Sequence, residues 1–390
     1  MRLALTEALT ERRAHVTARR PRILHVGKFY PPHKGGMETH LRDLCERLQT
    51  QADVRVVVAA SSGRKTTEAI VNGVRVRREA TLFNLGASPV CPGLAREIRH
   101  SRADIVHLHF PNPAAILAYL ASNHAGRVVV TYHSDIVRQK LLGRAFRPLL
   151  EHFLRRASAI IATSPGYIES SEVLTRFRER CRVIPLGIDA RRFDRVDETE
   201  VRRLRARFGP RIVLGVGRLI YYKGFEHLIR AMRDVDARLL IIGEGPLRAR
   251  LERERDALGP NAHRVVLLGD AGDAAPYFRA ADVFALASTA RSEAFGIVQL
   301  EAMACGVPVV NTRLASGVPF VSPNEVTGIT VPPGDSRALA AALNKLLNDP
   351  ELRAKYGEAG RRRVAEEFTA ELMAGRTLRL YREVLDAPVP

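Results

Sequence analysis

Arg211-Ile212-Val213-Leu214-Gly215-Val216-Gly217-Arg218-Leu219-Ile220-Tyr221-Tyr222-Lys223-Gly224 decides the fold. Its first residues form an uninterrupted apolar run. A run that does not alternate with polar residues predicts a strand covered on both faces, as in a parallel sheet. Glycines break the run, and helical periodicity follows over Phe225–Arg233. The same sequence of strand, glycine loop and helix opens the chain: Arg22–Val26, then Gly27 to Gly36, then Glu38–Leu48.

Working outward, further short Val- and Ile-rich runs predict strands at Val54–Ala59, Asp104–His109, Arg127–Tyr132, Ala159–Ala162 and Arg182–Pro185. In the second half they fall at Arg238–Ile242, Arg264–Leu268, Val283–Ala287 and Val307–Asn311. Helical segments intervene. The pattern is α/β, with two doubly wound, Rossmann-like parallel sheets. The boundary follows Pro185-Leu186-Gly187-Ile188-Asp189, and helices at Ser336–Leu347, Glu351–Glu367 and Ala370–Leu385 close the chain. The expected division is an extension at 1–21, a first domain at 22–190, a second at 191–369 and a closing helix at 370–390.

Composition supports this reading. A chain of 390 residues exceeds what one core usually serves, so two domains of about 150–200 residues are expected. Hydrophobic residues at 46% and charged residues at 26% exclude a disordered chain. No apolar run reaches the roughly 18 residues of a membrane span. Cys45, Cys91, Cys181 and Cys305 lie far apart without metal spacing, which excludes a zinc ribbon or disulfide scaffold and fits a reducing compartment. Residues 1–20 carry five arginines but no apolar segment, so they do not read as a secretory signal.

The net charge is +19, and 30 basic against 16 acidic side chains fall within residues 1–190. Nucleic acid, an anionic membrane surface and genome composition each account for such an excess. Only seven of the 61 cations are lysine, a bias that codon usage alone produces, although it does not explain the asymmetry. No basic stretch is interleaved with stacking aromatics, which argues against a nucleic-acid partner.

Ligands of doubly wound sheets bind beyond the carboxyl ends of the strands, so the loops there carry the candidate residues. Gly35 and Gly36 precede a helix, where backbone can approach a ligand and free N–H groups suit a phosphate; an ordinary turn reads the same way. The G-x-G-x-x-G spacing of a dinucleotide site is absent at this loop, which argues against a dehydrogenase. Arg218 and Lys223 fall in the loop after their strand, either to neutralise a diphosphate or as solvated surface charges. Ser288 to Val310 places Glu293 in a loop, a helix start near Phe295–Gly296, and Glu301 on that helix. Its first-turn N–H groups suit an anion, and the two carboxylates suit hydroxyls. Asp234-Val235-Asp236 matches a metal-binding Asp-x-Asp, but it precedes a strand, the wrong end of a parallel sheet for a ligand, and reads as a turn. His107 and His109 end a strand and read as structural hydrogen-bonders.

Taken together, these segments resemble glycosyltransferase family 4, retaining enzymes of the GT-B fold that use nucleotide-activated sugars. The matching elements are the Gly35-Gly36 loop, Tyr132-His133-Ser134-Asp135, Gly217-Arg218-Leu219 with Lys223-Gly224, Gly243-Glu244-Gly245-Pro246, the Glu293 and Glu301 pair, Thr327-Gly328 and Pro333-Gly334-Asp335. They run from about residue 22 to 370. The resemblance implies two domains facing a central cleft, the second binding the donor and the first the acceptor. It further implies that Arg218 and Lys223 bind the donor diphosphate and that Gly36 approaches it from the first domain. Glu293 would hold sugar hydroxyls, amides around Phe295, Gly296 and Ile297 would contact sugar and phosphate, and Glu301 would hold the ribose. His133 would lie beside the reacting carbon, and Gly243 and Glu244 near the nucleotide. No metal or other cofactor is expected, and the last helix would cross back onto the first domain. Asp135 stays open between orienting His133, contacting the acceptor and capping a helix.

Likeness to bacterial surface-polysaccharide mannosyltransferases makes GDP-mannose the first expected donor. UDP-hexoses, UDP-N-acetylhexosamines or, more remotely, sugar-nucleotide epimerisation are the alternatives. A glycan or polyprenyl-diphosphate-linked acceptor is expected, with the protein in the cytoplasm or at the inner face of the cytoplasmic membrane. Residues 136–156 interleave Leu141, Leu142, Phe146, Leu149, Leu150 and Phe153 with basic residues. This amphipathic pattern fits either a core-packed helix or contact with anionic lipid.

Overall fold

The computed structural model describes residues 19–33, 35–61, 65–85, 88–136 and 140–388. Its first sheet has the strand order Cys181–Val183, Ala159–Ala162, Arg127–Tyr132, Ile105–Phe110, Arg22–Val26, Asp53–Ala59, Val74–Glu79 and Thr67–Val71. All neighbours are parallel except the last pair. The second sheet is wholly parallel, in the order Val265–Gly269, Arg238–Ile242, Ile212–Val216, Val283–Leu286, Val309–Thr312 and Gly328–Val331.

The uninterrupted apolar runs have a direct physical cause. Ile212, Leu214, Leu240, Ile242, Phe284 and Leu286 enter one core of the second domain. Val213, Leu239, Ile241, Val283 and Ala285 enter another on the opposite face. Successive side chains point to opposite faces, so a strand covered twice must be apolar at every position.

Each sheet reverses its winding beside its first strand. In the second, the reversal lies between Ile212–Val216 and Val283–Leu286. Such a switch point leaves a crevice at the carboxyl ends of the two strands.

Some elements depart from the sequence reading. Val74–Glu79 and Thr67–Val71 went unread because Val-Arg-Val-Arg-Arg-Glu alternates and lies near an edge, where Ile70 is exposed. Gly328–Val331 also went unread. A Cβ at Gly328 would lie 1.8 Å from the Val309 carbonyl oxygen, so the chain there can only be glycine. The helix expected near Phe295–Gly296 begins at Val298, because Gly296 at φ +72° holds the preceding residues in a turn.

The last helix, Ala370–Asp386, leaves the second domain and packs on the first. Met373, Leu378, Leu380 and Tyr381 share a core with Ile23, Leu41, Leu44, Val56 and Ile105. The outward and return crossings run side by side. Ile188 N–H donates to the Phe368 carbonyl, and Ala370 N–H donates to that of Ile188. A Cβ at Gly187 would strike the Thr369 carbonyl oxygen at 2.3 Å, so this approach requires glycine. Arg47 joins the crossings to the first domain through Asp189 and Glu371.

Truncating Leu378 to alanine removes a buried anchor of this helix. Denaturant unfolding is expected to show a loss of about 2–5 kcal/mol; a loss below about 1 kcal/mol would mean the helix does not complete the first domain's core.

Candidate active site

The two loops at the second switch point are sewn together. Thr289 N–H donates to the Tyr222 carbonyl, and a Cβ at Gly224 would lie 2.0 Å from the Ala287 carbonyl oxygen. This join brings Lys223 Nζ to 2.6 Å from Glu293 Oε2, a pair only about one-tenth exposed. Ser288 Oγ donates to the same carboxylate oxygen at 2.8 Å. Gly243 and Gly245 brace the first loop from behind. Leu219 N–H donates to the Glu244 carbonyl, and a Cβ at Gly243 would strike the Gly217 carbonyl oxygen at 2.0 Å. The Glu244 side chain itself is more than half exposed and pairs with Arg248 at 3.2 Å.

Arg218 is exposed at the mouth of the loop. Facing it from the first domain is Lys28. Burial lowers the Lys28 pKa, Glu38 opposes that shift, and the charge of Arg218 adds to it. Glu38 is buried and folds its carboxylate over Gly35, where a Cβ would meet it at 2.2 Å. A Cβ at Gly36 meets nothing within 4 Å. Among the described residues no packing therefore demands glycine there, and the space at Gly36 is open.

Among the described residues, the N–H groups of Phe295, Gly296 and Ile297 have no acceptor. The Phe295 ring itself is buried in the core. Glu301 follows on the helix Val298–Ala304, 4.0 Å from Arg192. Burial raises its pKa to about 7; Arg192 opposes the shift, and Asp273 and Asp43 reinforce it. Asp43 belongs to the first domain, so the Glu301 carboxyl senses charge from both.

His133 follows the strand Arg127–Tyr132, buried, with Nε2 at 3.2 Å from His109 Nδ1. Burial, reinforced by His40, holds its pKa well below the ordinary value, so the ring is neutral. Asp135 accepts from Tyr132 and Ser171 and forms an ion pair with Arg291. Arg291 lies in the loop that carries Glu293, so this pair ties the His133 segment to the Glu293 segment across the interdomain cleft.

Comparisons with known proteins give the family. A family described as glycosyltransferase family 4 matches residues 34–192, and one described as glycosyl transferases group 1 matches residues 196–363. The O-antigen chain mannosyltransferase C of Escherichia coli is 33% identical, covering 94% of this chain and 99% of its own. This chain is a family 4 glycosyltransferase. The D-rhamnosyltransferase WbpZ of Pseudomonas aeruginosa is also 33% identical, over 90% of this chain and 92% of its own. A GDP-mannose-dependent phosphatidylinositol monomannoside mannosyltransferase of Mycolicibacterium smegmatis is 30% identical, over 91% and 98%. Sucrose-phosphate synthase from Thermosynechococcus elongatus superposes with a TM-score of 0.78 at 25% identity, covering 95% of this chain and all of its own. The architecture is GT-B.

In this glycosyltransferase the sequence-derived residues fall into three groups. Lys223, Glu293 and the amides of 295–297 meet at the second switch point. Arg218 and Gly36 approach from opposite domains, and Glu301 lies at the first turn of the next helix. His133 lies in the first domain's cleft wall. Lys28, Arg192 and Arg291 were missed, because a lone charge in a loop carries no local signal; His107 and His109 are the structural hydrogen-bonders that the sequence reading expects. Asp234 and Asp236 lie at the amino-terminal edge of the second sheet, and Asp236 pairs with Arg264. Of the 136–156 segment, residues 137–139 and the side chains of residues 140–144, including Leu141 and Leu142, lie outside those described. In the rest, Leu150, Phe153 and Leu154 enter the first domain's core, and Arg147 pairs with Glu151 and Glu172. No helix among the described residues is long and apolar enough to cross a membrane.

A double-mutant cycle on Asp135→Ala and Arg291→Ala, read in kcat/KM, is expected to give a coupling of about 1–3 kcal/mol, because both side chains serve one interdomain contact. Additive effects would show that the pair does not hold the cleft together.

Proposed function

We propose that the cleft binds a nucleotide sugar and that the enzyme transfers its hexose, with retention of configuration, to a glycan or lipid-linked acceptor in bacterial surface-polysaccharide or glycolipid synthesis. The observation that carries this reading is the convergence of Arg218, the Lys223–Glu293 pair and three unpaired amides at one switch point, opposite Lys28 and the open space at Gly36. Cleavage of a sugar–diphosphate bond builds negative charge on the leaving diphosphate. Fixed cations and N–H groups stabilise that charge best where water is excluded. Arg218, Lys223 and the helix start at Gly36 are assigned to the diphosphate, and Lys28 adds a cation from the first domain.

Glu293 is assigned to the donor sugar. Its Oε2 is held by Lys223 and Ser288, which fixes the carboxylate and leaves Oε1 for a hydroxyl. Phe295, Gly296 and Ile297 offer their amides, and Glu301 accepts from the ribose. The neutral His133 stands beside the sugar with Nδ1 free of the contact to His109. No metal enters this reading, since protein cations and amides already meet the diphosphate charge.

GDP-mannose is the first choice of donor, supported by the mannosyltransferase names among the relatives. UDP-hexoses and UDP-N-acetylhexosamines are the alternatives. A cytoplasmic enzyme at the inner membrane face fits a lipid-linked acceptor. Contact with anionic lipid would be electrostatic there, because Leu150, Phe153 and Leu154 are already committed to the core. Release of GDP from GDP-mannose, with none of UDP from UDP-sugars, is the expected result of a donor panel. The reverse pattern overturns the mannose assignment, and sugar-nucleotide interconversion without acceptor would favour an epimerase.

Glu293→Gln is expected to lower kcat by about 10²–10³, and Lys223→Met by a similar factor, with the fold retained. Wild-type turnover in both variants contradicts the site. Glu301 must be ionised to accept from two hydroxyls. With its pKa at about 7, about one-tenth is ionised at pH 6 and about nine-tenths at pH 8. Affinity for an intact nucleotide sugar, measured by calorimetry, is therefore expected to rise about tenfold from pH 6 to pH 8, and Glu301→Gln to flatten the profile. A flat profile in the wild type removes Glu301 from the ribose site.

A further inference from the structure

Behind His133 lies a group of buried histidines that the assigned chemistry does not use. His25, His107 and His109 are fully or almost fully buried on two neighbouring parallel strands, where His25 pairs in register with His107. Their side chains, with His133 and Tyr381, form one continuous line. His133 Nε2 is 3.2 Å from His109 Nδ1, and His109 Nε2 is 3.1 Å from His25 Nδ1. His25 Nε2 is 3.4 Å from the Tyr381 hydroxyl, which is 2.5 Å from His107 Nδ1. His107 Nε2 is 2.7 Å from Thr131 Oγ1, where the line ends. Burial holds all four rings well below their ordinary pKa, His25 at about 3, so each is neutral. The adjacent His40, packed edge-on against His133, is likewise lowered, to about 4.

A neutral imidazole has one donor and one acceptor nitrogen. Each ring in the line is engaged at both nitrogens except His133, so the tautomers are not independent. Two coherent arrangements exist. In one, every histidine carries its proton on Nε2, Tyr381 donates to His107, and His107 donates to Thr131; the Thr131 hydroxyl proton is then left without an acceptor. In the other, Thr131 donates to His107 Nε2, His107 Nδ1–H to Tyr381, and Tyr381 to His25 Nε2. His25 Nδ1–H then donates to His109, and His109 Nδ1–H to His133 Nε2. Here every proton within the line has a partner, and the one left over, His133 Nδ1–H, is not buried away from solvent. Thr131 is buried, and among the described residues its hydroxyl has no partner but His107. An unpaired buried hydroxyl is costly, so the second arrangement is favoured.

We propose that Thr131, His107, Tyr381, His25 and His109 form a directional hydrogen-bond line that fixes His133 as its Nδ1–H tautomer and so makes it a hydrogen-bond donor. That the donated proton serves the sugar rests on the placement of His133 in the reading above. The tautomer itself does not. Tyr381 is a positioning residue: it stands on the helix that crosses back from the second domain, and the line passes through its hydroxyl. The same nitrogens lie close enough to one another to ligate a metal. However, both His109 nitrogens are engaged by other imidazoles, so a metal in either group would have to break one of these contacts and interrupt the line.

Long-range ¹H–¹⁵N spectra of the full-length protein labelled in histidine read the tautomers at neutral pH without ligand. The expected result is Nδ1–H at His133, His109, His25 and His107. In Tyr381→Phe and in Thr131→Val, His133 is expected to shift towards Nε2–H. In both variants kcat for glycosyl transfer should fall about tenfold, with KM for the donor changed less than twofold. Thr131→Ser, which restores the hydroxyl, should recover both the tautomer and kcat. An Nε2–H tautomer at His133 in the wild type overturns the proposal. So does lost activity in correctly folded Thr131→Val with His133 unchanged, since the loss would then be a packing effect. If the tautomers behave as expected but no variant changes kcat, the line stands and the placement of His133 beside the sugar fails.

Discussion

The contact between Lys223 and Glu293 is the constraint on which the site depends. Each comes from a loop following a different strand, and the strands are neighbours only because the sheet changes its winding direction between them. A largely buried ion pair must be completed on both sides, since removing one partner strands the other's charge away from water. The pair therefore locks two loops into one surface. Ser288, Gly224 and the Thr289–Tyr222 hydrogen bond all serve to hold that geometry.

The second domain supplies most of the fixed charge, but the first completes the cleft. Lys28 faces it from one loop, with Gly36 and Glu38 from the start of the helix that follows, and His133 and Asp135 face it from another loop. Asp135 reaches across to Arg291, two residues before Glu293 in the same loop, so the two walls are coupled by a charge pair as well as by packing. At the opposite end the crossings at Ile188 and Ala370 are hydrogen-bonded side by side, with Arg47 anchoring both.

Much of this was legible in the sequence. Strands buried on both faces are apolar throughout, so Ile212–Val216 and its neighbours stand out; the partly exposed Val74–Glu79, alternating with arginine, does not. Glycines marked the loops because backbone crowding at Gly224 and Gly243 forbids a side chain. Lys28 and Arg291 were invisible because what matters is the residue opposite, on another domain. The histidine line was hidden for a related reason: its members are scattered from residue 25 to residue 133, and only strand register and the returning helix bring them to Tyr381.

The most direct measurement is a crystal structure of the enzyme with an intact nucleotide sugar bound. The account predicts the diphosphate between the helix start at Gly36 and the side chains of Arg218 and Lys223, the sugar against Glu293, and the ribose at Glu301. A nucleotide sugar bound elsewhere, with this crevice empty at saturating concentration, would contradict it.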